Sequence, residues 1–467
     1  MNIPSMHTFK PTLVLLIATV LAGCTAFRTP YERAPLATPT AWRNNIAADA
    51  NAITIKSTDR WWKNFDDPQL NQLIDQVLAR NNGLAGADIL VRIAKLQAGL
   101  TAINPIVSAS FGTTNSRNLR GAPDSTRSQS LTGSASYLVD FWGNLASQRD
   151  AAEWLALATV QDRESIALTL IGATASLYWQ IANAHQHIEA SEQSIAYTKK
   201  TLELVRVQYA VGSVSTLELL QAEQSLTLQQ ANHTQLLQQL VTSRAALALL
   251  FDGPPEAPFP ERQSLSVVTL PDVDAGLPAE LLGRRPDLRA GELRLRNMLA
   301  NNDAVRTSFY PAFTLTGSLG SGSSSLVNVL KNPMGTLSTG LTFPFLQFDQ
   351  MALSNKVSQA TYEKGVIDFR QTFYKALSDV EVALSARRQF LLQGVKLKES
   401  LDAANKIERL YRQRYLAGAV SLRIWLDAQE AQRSAMVAVA DSNLNLLNSQ
   451  VNLYLALGGD GGGLVGN

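Results

Sequence analysis

Two kinds of hydrophobic spacing alternate along the chain. From Asn144 to Tyr209 apolar residues recur at Leu177, Ile181, Ala184, Ile188, Ile195, Leu202 and Val205, in steps built from three, four and seven. Such steps make a coiled-coil seam. Asn355 to Tyr415 repeats the pattern with Phe373, Leu377, Val380, Leu384, Leu391 and Val395. Each stretch is free of proline, and a helix of ~60 residues runs ~90 Å at 1.5 Å per residue. Ordinary globular helices are far shorter. The stretches end at glycine-containing breaks, Val211 to Ser213 and Ala417 to Ala419. A second helical segment of roughly 35 to 40 residues follows each break, so two helical hairpins are predicted, each doubling back at its glycine.

The other spacing has period two. Ile106 to Gly112 and Leu131 to Asp140 form one pair of candidate strands, around a polar loop holding Gly121, Pro123 and Asp124. Ala312 to Gly320 and Leu337 to Phe345 form a second pair, around a glycine- and serine-rich loop from Gly320 to Ser325. Phe313, Leu315, Gly317 and Leu319 alternate with Thr314, Thr316 and Ser318, and Leu337, Thr339, Leu341, Phe343 and Phe345 share one face. Alternation over about nine residues is the signature of a transmembrane strand. Read alone, it fits the hairpins of a soluble sandwich equally well.

A shift of 206 residues lays the second half on the first. Pro105 falls on Pro311, and Trp142 with Gly143 on Phe348 with Asp349. Tyr209, Gly212, Val214 and Ser215 fall on Tyr415, Gly418, Val420 and Ser421, and Gly253 on Gly459. Upstream the match slips by two residues, with Asn81 to Leu84 facing Arg285 to Leu288. Each unit reads helix, strand, loop, strand, long helix, glycine turn, helix. A proline-rich segment from Phe251 to Leu282 joins them.

The chain opens on a targeting signal. Lys10 precedes an apolar run from Leu13 to Ala22, closed by Gly23 and Cys24. The run is shorter than the ~20 residues that a membrane span needs; it has the form of an export signal. Leu21 to Cys24 resembles the lipobox of bacterial lipoproteins, in which the peptide is cut before the cysteine and its sulfur is acylated. Several acyl chains anchor far better than one. Thr25, where an Asp would favour the inner membrane, implies the outer membrane. Beyond residue 24 no window of 18 or more uncharged apolar residues occurs. A membrane crossing would therefore need a closed β-barrel, because lipid leaves no backbone polar group unpaired. Two hairpins supply four strands, whereas single-chain barrels start at about eight. If the strands enter a membrane, the protein is obligately oligomeric.

Composition narrows the chemistry. The 467 residues carry 41 Lys and Arg against 39 Asp and Glu, a net charge of +2, which leaves no electrostatic footprint for nucleic acid. A single cysteine excludes a disulfide framework and a cysteine-based zinc site. Of four histidines, His185 and His187 lie two apart on a predicted helix, point to different sides and cannot jointly chelate; they are expected on a solvated surface. Gly320 to Ser325 lacks the Lys of a phosphate-binding loop. Trp61, Trp62 and Phe65 are expected to pack in a core, and Gly458 to Gly463 to form a flexible tail. With no nucleophile–base pattern, metal cluster or cofactor loop, the chain is expected to be no enzyme and to hold no metal or cofactor.

These features together resemble the TolC-like outer-membrane factors, and among them the OprM-type lipoprotein channels of tripartite efflux systems. The resemblance spans essentially the whole mature chain. Its marks are the lipobox, Trp61 to Phe65 with Asp67 to Leu70, Arg284 to Arg289, Phe309 to Pro311, Phe343 to Phe345 and Leu455 to Gly459. It implies an α/β membrane protein, mostly α. A trimer would share a 12-stranded outer-membrane barrel, four strands per chain, continued by a long periplasmic α-helical coiled-coil barrel with a small mixed equatorial belt. The expected boundaries are a signal peptide at 1–23, a lipid anchor at Cys24 and N-terminal equatorial segment at 24–83, and a first repeat at 84–253 (β-hairpin 106–140, helical hairpin 144–250). A linker at 254–284, a second repeat at 285–459 (β-hairpin 312–345, helical hairpin 350–457) and a tail at 460–467 follow.

The implied activity is passive conduction of small molecules delivered by an inner-membrane RND-type pump through a periplasmic adaptor protein. In the family the periplasmic end is closed by charged residues just after the second glycine turn, here Leu422 to Glu430. Asp427 sits where the family places an acidic gate residue; three positions on, where relatives usually carry Arg, stands Glu430. Arg423 lies four before Asp427 and Arg433 three after Glu430, spacings that bring side chains together. Exposed pairs contribute only ~0.3–0.5 kcal/mol each and cannot lock a gate alone. Three copies of Asp427 and Glu430 would form an acidic ring that favours cations, unless they are merely solvated helix-face charges. By family analogy Gly212, Val214 and Ser215, with Gly418, Val420 and Ser421, touch the adaptor; turn chemistry accounts for the glycines equally. Competing readings are a type I protein-secretion channel and a periplasmic coiled-coil adaptor or structural lipoprotein.

Overall fold

Residues 28–33, 35–44, 54–55, 60–120, 125–254, 259–265, 270 and 272–459 are described by the computed structural model. The expected signal peptide and the expected lipidation site Cys24 lie outside them. In chain order the elements are β1 (Thr54–Ile55), α1 (Pro68–Arg80), α2 (Asn82–Thr101), β2 (Ile106–Arg117), β3 (Ser125–Val139), α3 (Asn144–Ala210) and α4 (Thr216–Leu250). They continue with β4 (Asp272–Val273), α5 (Leu281–Arg284), α6 (Pro286–Ser308), β5 (Ala312–Ser323), β6 (Pro333–Thr342), α7 (Phe348–Leu416) and α8 (Leu422–Ala456). The order α2-β2-β3-α3-α4 recurs as α6-β5-β6-α7-α8. The two long helices have 67 and 69 residues, about 100 Å each at 1.5 Å per residue.

One unit comprises residues 1–36, 90–160 and 290–371. It contains an antiparallel sheet in the order β2-β3-β5-β6. The register brings Phe111 opposite Leu131, Tyr137 opposite Leu315, Phe313 opposite Leu341 and Gly317 opposite Leu337. Because side chains alternate between faces, the sheet has one apolar face and one lined by Ser108, Ser110, Ser134, Ser136, Thr316 and Ser318. Hydroxyl pairs cross the strands on that second face, Ser108 to Ser134 at 2.8 Å and Ser136 to Thr316 at 3.1 Å. The apolar face is uncovered within the chain: Val107, Leu319 and Leu337 are each about three-quarters exposed. The outer edges of β2 and β6 have no partner among the described residues.

The strands are longer than the alternation predicted. Thr113 to Arg117, Ser125 to Ser130 and Ser321 to Ser323 pair within the sheet, so the connections at both hairpins are shorter than expected. Phe343 and Phe345 lie beyond β6, Phe345 in a short 3-10 turn, and α7 starts two residues before the expected boundary at 350. Trp142 Nε1 donates to the Pro311 carbonyl at 2.8 Å, and the Asp140 carboxylate accepts from the backbone of Leu145 and Ala146, fixing the passage from β3 into α3.

The other unit holds residues 37–89, 161–289 and 372–467. Its core is aromatic: Trp61 stacks on Tyr454 at 4.9 Å, and Phe65 meets Trp179 edge-on at 4.7 Å. Leu70, Leu73, Ile74 and Val77 of α1 are buried beside them. Asp67 caps α1 through the backbone of Gln69 and Leu70 and pairs with Arg262 of the linker at 2.7 Å. β1 pairs in parallel with β4. An 18-residue stretch of α3 is apolar enough to cross a membrane, yet 61% of it is buried inside the protein, as a core helix is.

Two sequence expectations are corrected in this unit. His185 and His187 are not on a solvated surface. His185 Nε2 contacts Glu261 at 2.6 Å and His187 Nε2 contacts Asp441 at 3.2 Å, both rings being largely buried. Gly458 and Gly459 are not the start of a flexible tail. Both have positive φ and are buried, and a Cβ on Gly459 would lie 2.5 Å from Leu168 and one on Gly458 2.9 Å from the Arg285 backbone. Close backbone approach selects glycine there. Along α7 the seam holds at Phe373, Leu377, Val380 and Leu384, which are buried, but Leu391 and Val395 are exposed.

Candidate functional site at the helical hairpin turns

Both glycine turns close in the same way. Gly212 has φ +75° and Gly418 φ +70°, the left-handed conformation that terminates a helix. The Ser213 backbone N–H bonds the Gln208 carbonyl at 2.8 Å, and the Ala419 N–H bonds the Arg414 carbonyl at 2.8 Å. Val214 and Val420 are half-buried, and Gly212, Ser215, Gly418 and Ser421 are exposed. Ser215 forms a capping box with Glu218. Ser421 stands at the same place with no side-chain cap bond.

The two hairpins share one small core between their turns. Leu202, Val205, Ala222, Tyr415, Leu422 and Trp425 are buried in it. Trp425 stacks on Tyr415 at 5.1 Å. Glu408, 8% exposed, accepts from Tyr197 Oη at 2.6 Å and from Trp425 Nε1 at 2.9 Å through one oxygen. Tyr415 Oη donates to Gln208 at 2.6 Å. Burial, reinforced by the Glu408 carboxylate, pushes the Tyr197 hydroxyl well above the usual phenol range.

The charged residues read from the sequence sit on the solvent side of this core. Arg423 reaches Asp427 at 4.0 Å, with both side chains about three-quarters exposed. Glu430 pairs with Arg433 and also accepts from Gln229 Nε2 of α4 at 3.2 Å. Arg423–Asp427 and Glu430–Arg433 are thus brought together as the spacing implied. Gln229, Glu408, Tyr197 and Trp425 escaped the sequence reading. Trp425 and Tyr197 look like ordinary seam residues, and Glu408 like one charge among many on a 69-residue helix. Among the described residues no three potential metal ligands gather.

A sheet with one uncovered apolar face and two edges without a partner among the described residues, joined in sequence to long helical hairpins, is the form that strands entering lipid together with further strands take. Residues 73–252 and 277–459 match the family described as outer membrane efflux protein, and the chain belongs to that family. It is similar to the pyoverdine export outer membrane protein OpmQ of Pseudomonas putida, 33% identical over 442 residues, covering 91% of this chain and 92% of the relative. It is also similar to toxin and drug export protein A of Aggregatibacter actinomycetemcomitans, 29% identical over 97% of this chain and 99% of that one. Among solved structures, the open state of the Neisseria gonorrhoeae MtrE outer membrane channel superimposes with a TM-score of 0.81 at 26% identity, over 94% of this chain and 98% of that one. The Campylobacter jejuni CmeC outer membrane channel gives 0.86 at 23% identity, over 94% and 96%. The chain is a TolC-like outer-membrane efflux channel.

Proposed function

We propose that three copies of this chain complete one 12-stranded barrel and form the exit duct of a tripartite efflux system. The observation that carries the reading is the four-stranded sheet with two open edges, an uncovered apolar face and a hydroxyl-lined face. Open edges are not tolerated in lipid. Two copies would make eight strands, a lumen filled by side chains; three make twelve and leave a passage. The hydroxyl face then lines a wet lumen and the apolar face meets lipid. Exposed Leu90, Ile93, Leu96 and Leu100 on α2, and Leu391 and Val395 on α7, find their packing partners on neighbouring copies.

Acylated Cys24 holds the N-terminus to the outer membrane, with the belt and hairpins in the periplasm. A periplasmic adaptor docks around Gly212, Val214, Ser215, Gly418, Val420 and Ser421 and brings substrate from an inner-membrane RND-type pump. Conduction through the duct is passive. Asp427 and Glu430 form the acidic mouth of the periplasmic gate, with Arg423 and Arg433 setting their net charge. Migration of the purified protein before and after heating, together with conductance in planar bilayers, tests the reading. A heat-dissociable trimer that conducts ions is expected; a monomer without conductance would refute it. Reversing Asp427 and Glu430 to Lys should shift selectivity from cations toward anions, and unchanged selectivity would remove them from the pore.

A further inference from the structure

The two ends of the four-stranded sheet are finished differently. At the end that joins the helices, the apolar face carries Tyr137 and Phe313, and Phe141 meets Phe313 edge-on at 5.1 Å. Aromatic residues of this kind form the girdles of a barrel at its membrane surfaces. The far end has no such girdle: no Trp, Tyr or Phe occurs in residues 112–136 or 314–342. Charge gathers there instead. Arg117 closes β2, Arg127 lies at the start of β3, and Arg120 and Lys331 lie in the two connections. All four are exposed, and none forms an ion pair among the described residues. The one acidic residue between Ile106 and Val139 or between Ala312 and Thr342 is Asp124, which lies outside the described residues.

Register decides which way the strand arginines point. Arg117 pairs with Ser125, Asn115 with Arg127 and Phe111 with Leu131. Side chains two apart share a face, so Arg117 and Arg127 stand on the apolar face, in line with Val107, Phe111 and Leu131. The hydroxyl face at the same end holds Thr114, Ser116, Thr126 and Ser128. Ten residues separate Val107 from Arg117. In a strand tilted by about 35–45° they rise ~24–28 Å, which matches the ~25 Å height of a barrel's apolar band. Both arginines therefore stand at the outer rim of that band. They are diagonal neighbours across the ladder, ~7–8 Å apart. Arg127 Nε donates to Asn115 Oδ1 at 3.0 Å, which orients the guanidinium and leaves its two terminal nitrogens to a ligand.

On the reading of this sheet as one third of an outer-membrane barrel, we propose that Arg117 and Arg127 bind a phosphate of the glycolipid that builds the outer leaflet. Its phosphates lie at the height of the two guanidinium groups, and its acyl chains run down the apolar face beneath them. Guanidinium takes phosphate through paired hydrogen bonds, and clustered arginines at a membrane surface are attracted to anionic headgroups. Arg120, in the adjoining connection, adds to the same positive field. The rim that meets the phosphate layer is thus cationic, whereas the rim beside the helices is aromatic.

The test measures which lipids the purified protein retains in detergent, read by native mass spectrometry. The probes are bis-phosphorylated lipid A, the same lipid stripped of its phosphates, and phosphatidylglycerol. The wild type should prefer phosphorylated lipid A over the stripped form about thirtyfold, the share of two arginines at an anionic surface. The double variant Arg117→Gln, Arg127→Gln should lose that preference. Retention blind to phosphate in the wild type, or an undiminished preference in the double variant, would overturn the site. Phosphatidylglycerol retained as well as lipid A would overturn the assignment to the outer leaflet. A shift of ion selectivity in the double variant would place the arginines in the lumen and overturn the site as well. The wild-type comparison and the single variant Arg117→Gln decide the matter even where the double variant does not assemble. A wild-type chain that forms no trimer fails the barrel reading and the site with it, whereas a conducting trimer blind to phosphate fails the site alone.

Discussion

At the first hairpin turn Ser215 accepts from the Leu217 backbone at 3.2 Å, and Glu218 reaches back to the Ser215 N–H at 2.9 Å. At the second turn Ser421 makes no cap bond. Shifting by the repeat offset shows why: Glu218 falls on Ile424, so the reciprocal half of the capping box is missing. Leu219, half-buried, falls on Trp425, which is 3% exposed. Two turns of nearly identical backbone are therefore held differently, one by its own side chains and the other by burial of Leu422 and Trp425 in the shared core. A locally capped turn can move as a unit. A turn held by packing cannot leave its neighbour without exposing an indole.

The largest effect that separates the turns is expected from Trp425→Ala. Removing a buried Trp costs ~3–5 kcal/mol, and amide exchange should accelerate around Gly418 by orders of magnitude. Leu219→Ala, at the matching place, should loosen Gly212 far less. Equal responses would mean that both turns depend on the shared core alike. Next come Gly212→Ala and Gly418→Ala. No atom lies within 4 Å of a Cβ built on either glycine, so only the left-handed backbone resists substitution, at ~1–2 kcal/mol. Both should lose the same amount, and a larger loss at Gly418 would reveal a packing constraint there.

How much of this was readable beforehand follows from which forces are local. The long helices, their glycine breaks and the four strands announce themselves because periodicity and the left-handed glycine act within a few residues. Ser215 with Glu218 three positions on is likewise a local signal. Strand ends are longer than the alternation shows at Ser321 to Ser323, where Gly and Ser carry no apolar alternation and only the ladder with Gln129 to Leu131 makes them strand. His185 was misjudged because its partner Glu261 is 76 residues away. Gly458 and Gly459 were misjudged because a glycine run is also the composition of a loose end, and the close neighbours that demand glycine come from distant segments. Tyr197, Glu408 and Trp425 meet across three helices. No spacing rule on one helix could have joined them, although the charged pairs beside them, set by i+3 and i+4 geometry, were visible.

A smaller pair of substitutions exchanges the capping modes. Ser215→Ala should cost the first turn ~1 kcal/mol. Ile424→Glu should build the missing box at the second turn and add ~0.3–1 kcal/mol, since Ile424 is 40% exposed and gives up little burial. Thermal unfolding will not resolve changes of this size in a chain of 467 residues. Exchange of the first-turn amides of α4 and α8 will, and the two variants should move them in opposite directions. An Ile424→Glu variant with unchanged exchange would mean that burial alone dictates the second turn.

The smallest expected effect is the response of the first turn to acid. The Ser215 hydroxyl foremost, then the backbone N–H groups of Glu218 and Ser215, hold the Glu218 carboxyl below the usual carboxylate range. A carboxyl with a lowered pKa in the folded state stabilises that state fully above its unfolded value. The contribution fades as pH falls through the folded value, so fraying of α4 should set in below about pH 4.5, the ordinary glutamate value. Glu218 is only half-buried and solvent screens it, which limits the effect to the first turn of α4. Between pH 7 and pH 3, exchange at Leu217 and Glu218, corrected for its intrinsic pH dependence, should rise in the wild type and stay flat in Glu218→Gln. Identical profiles would show that the Ser215 hydroxyl alone carries the cap.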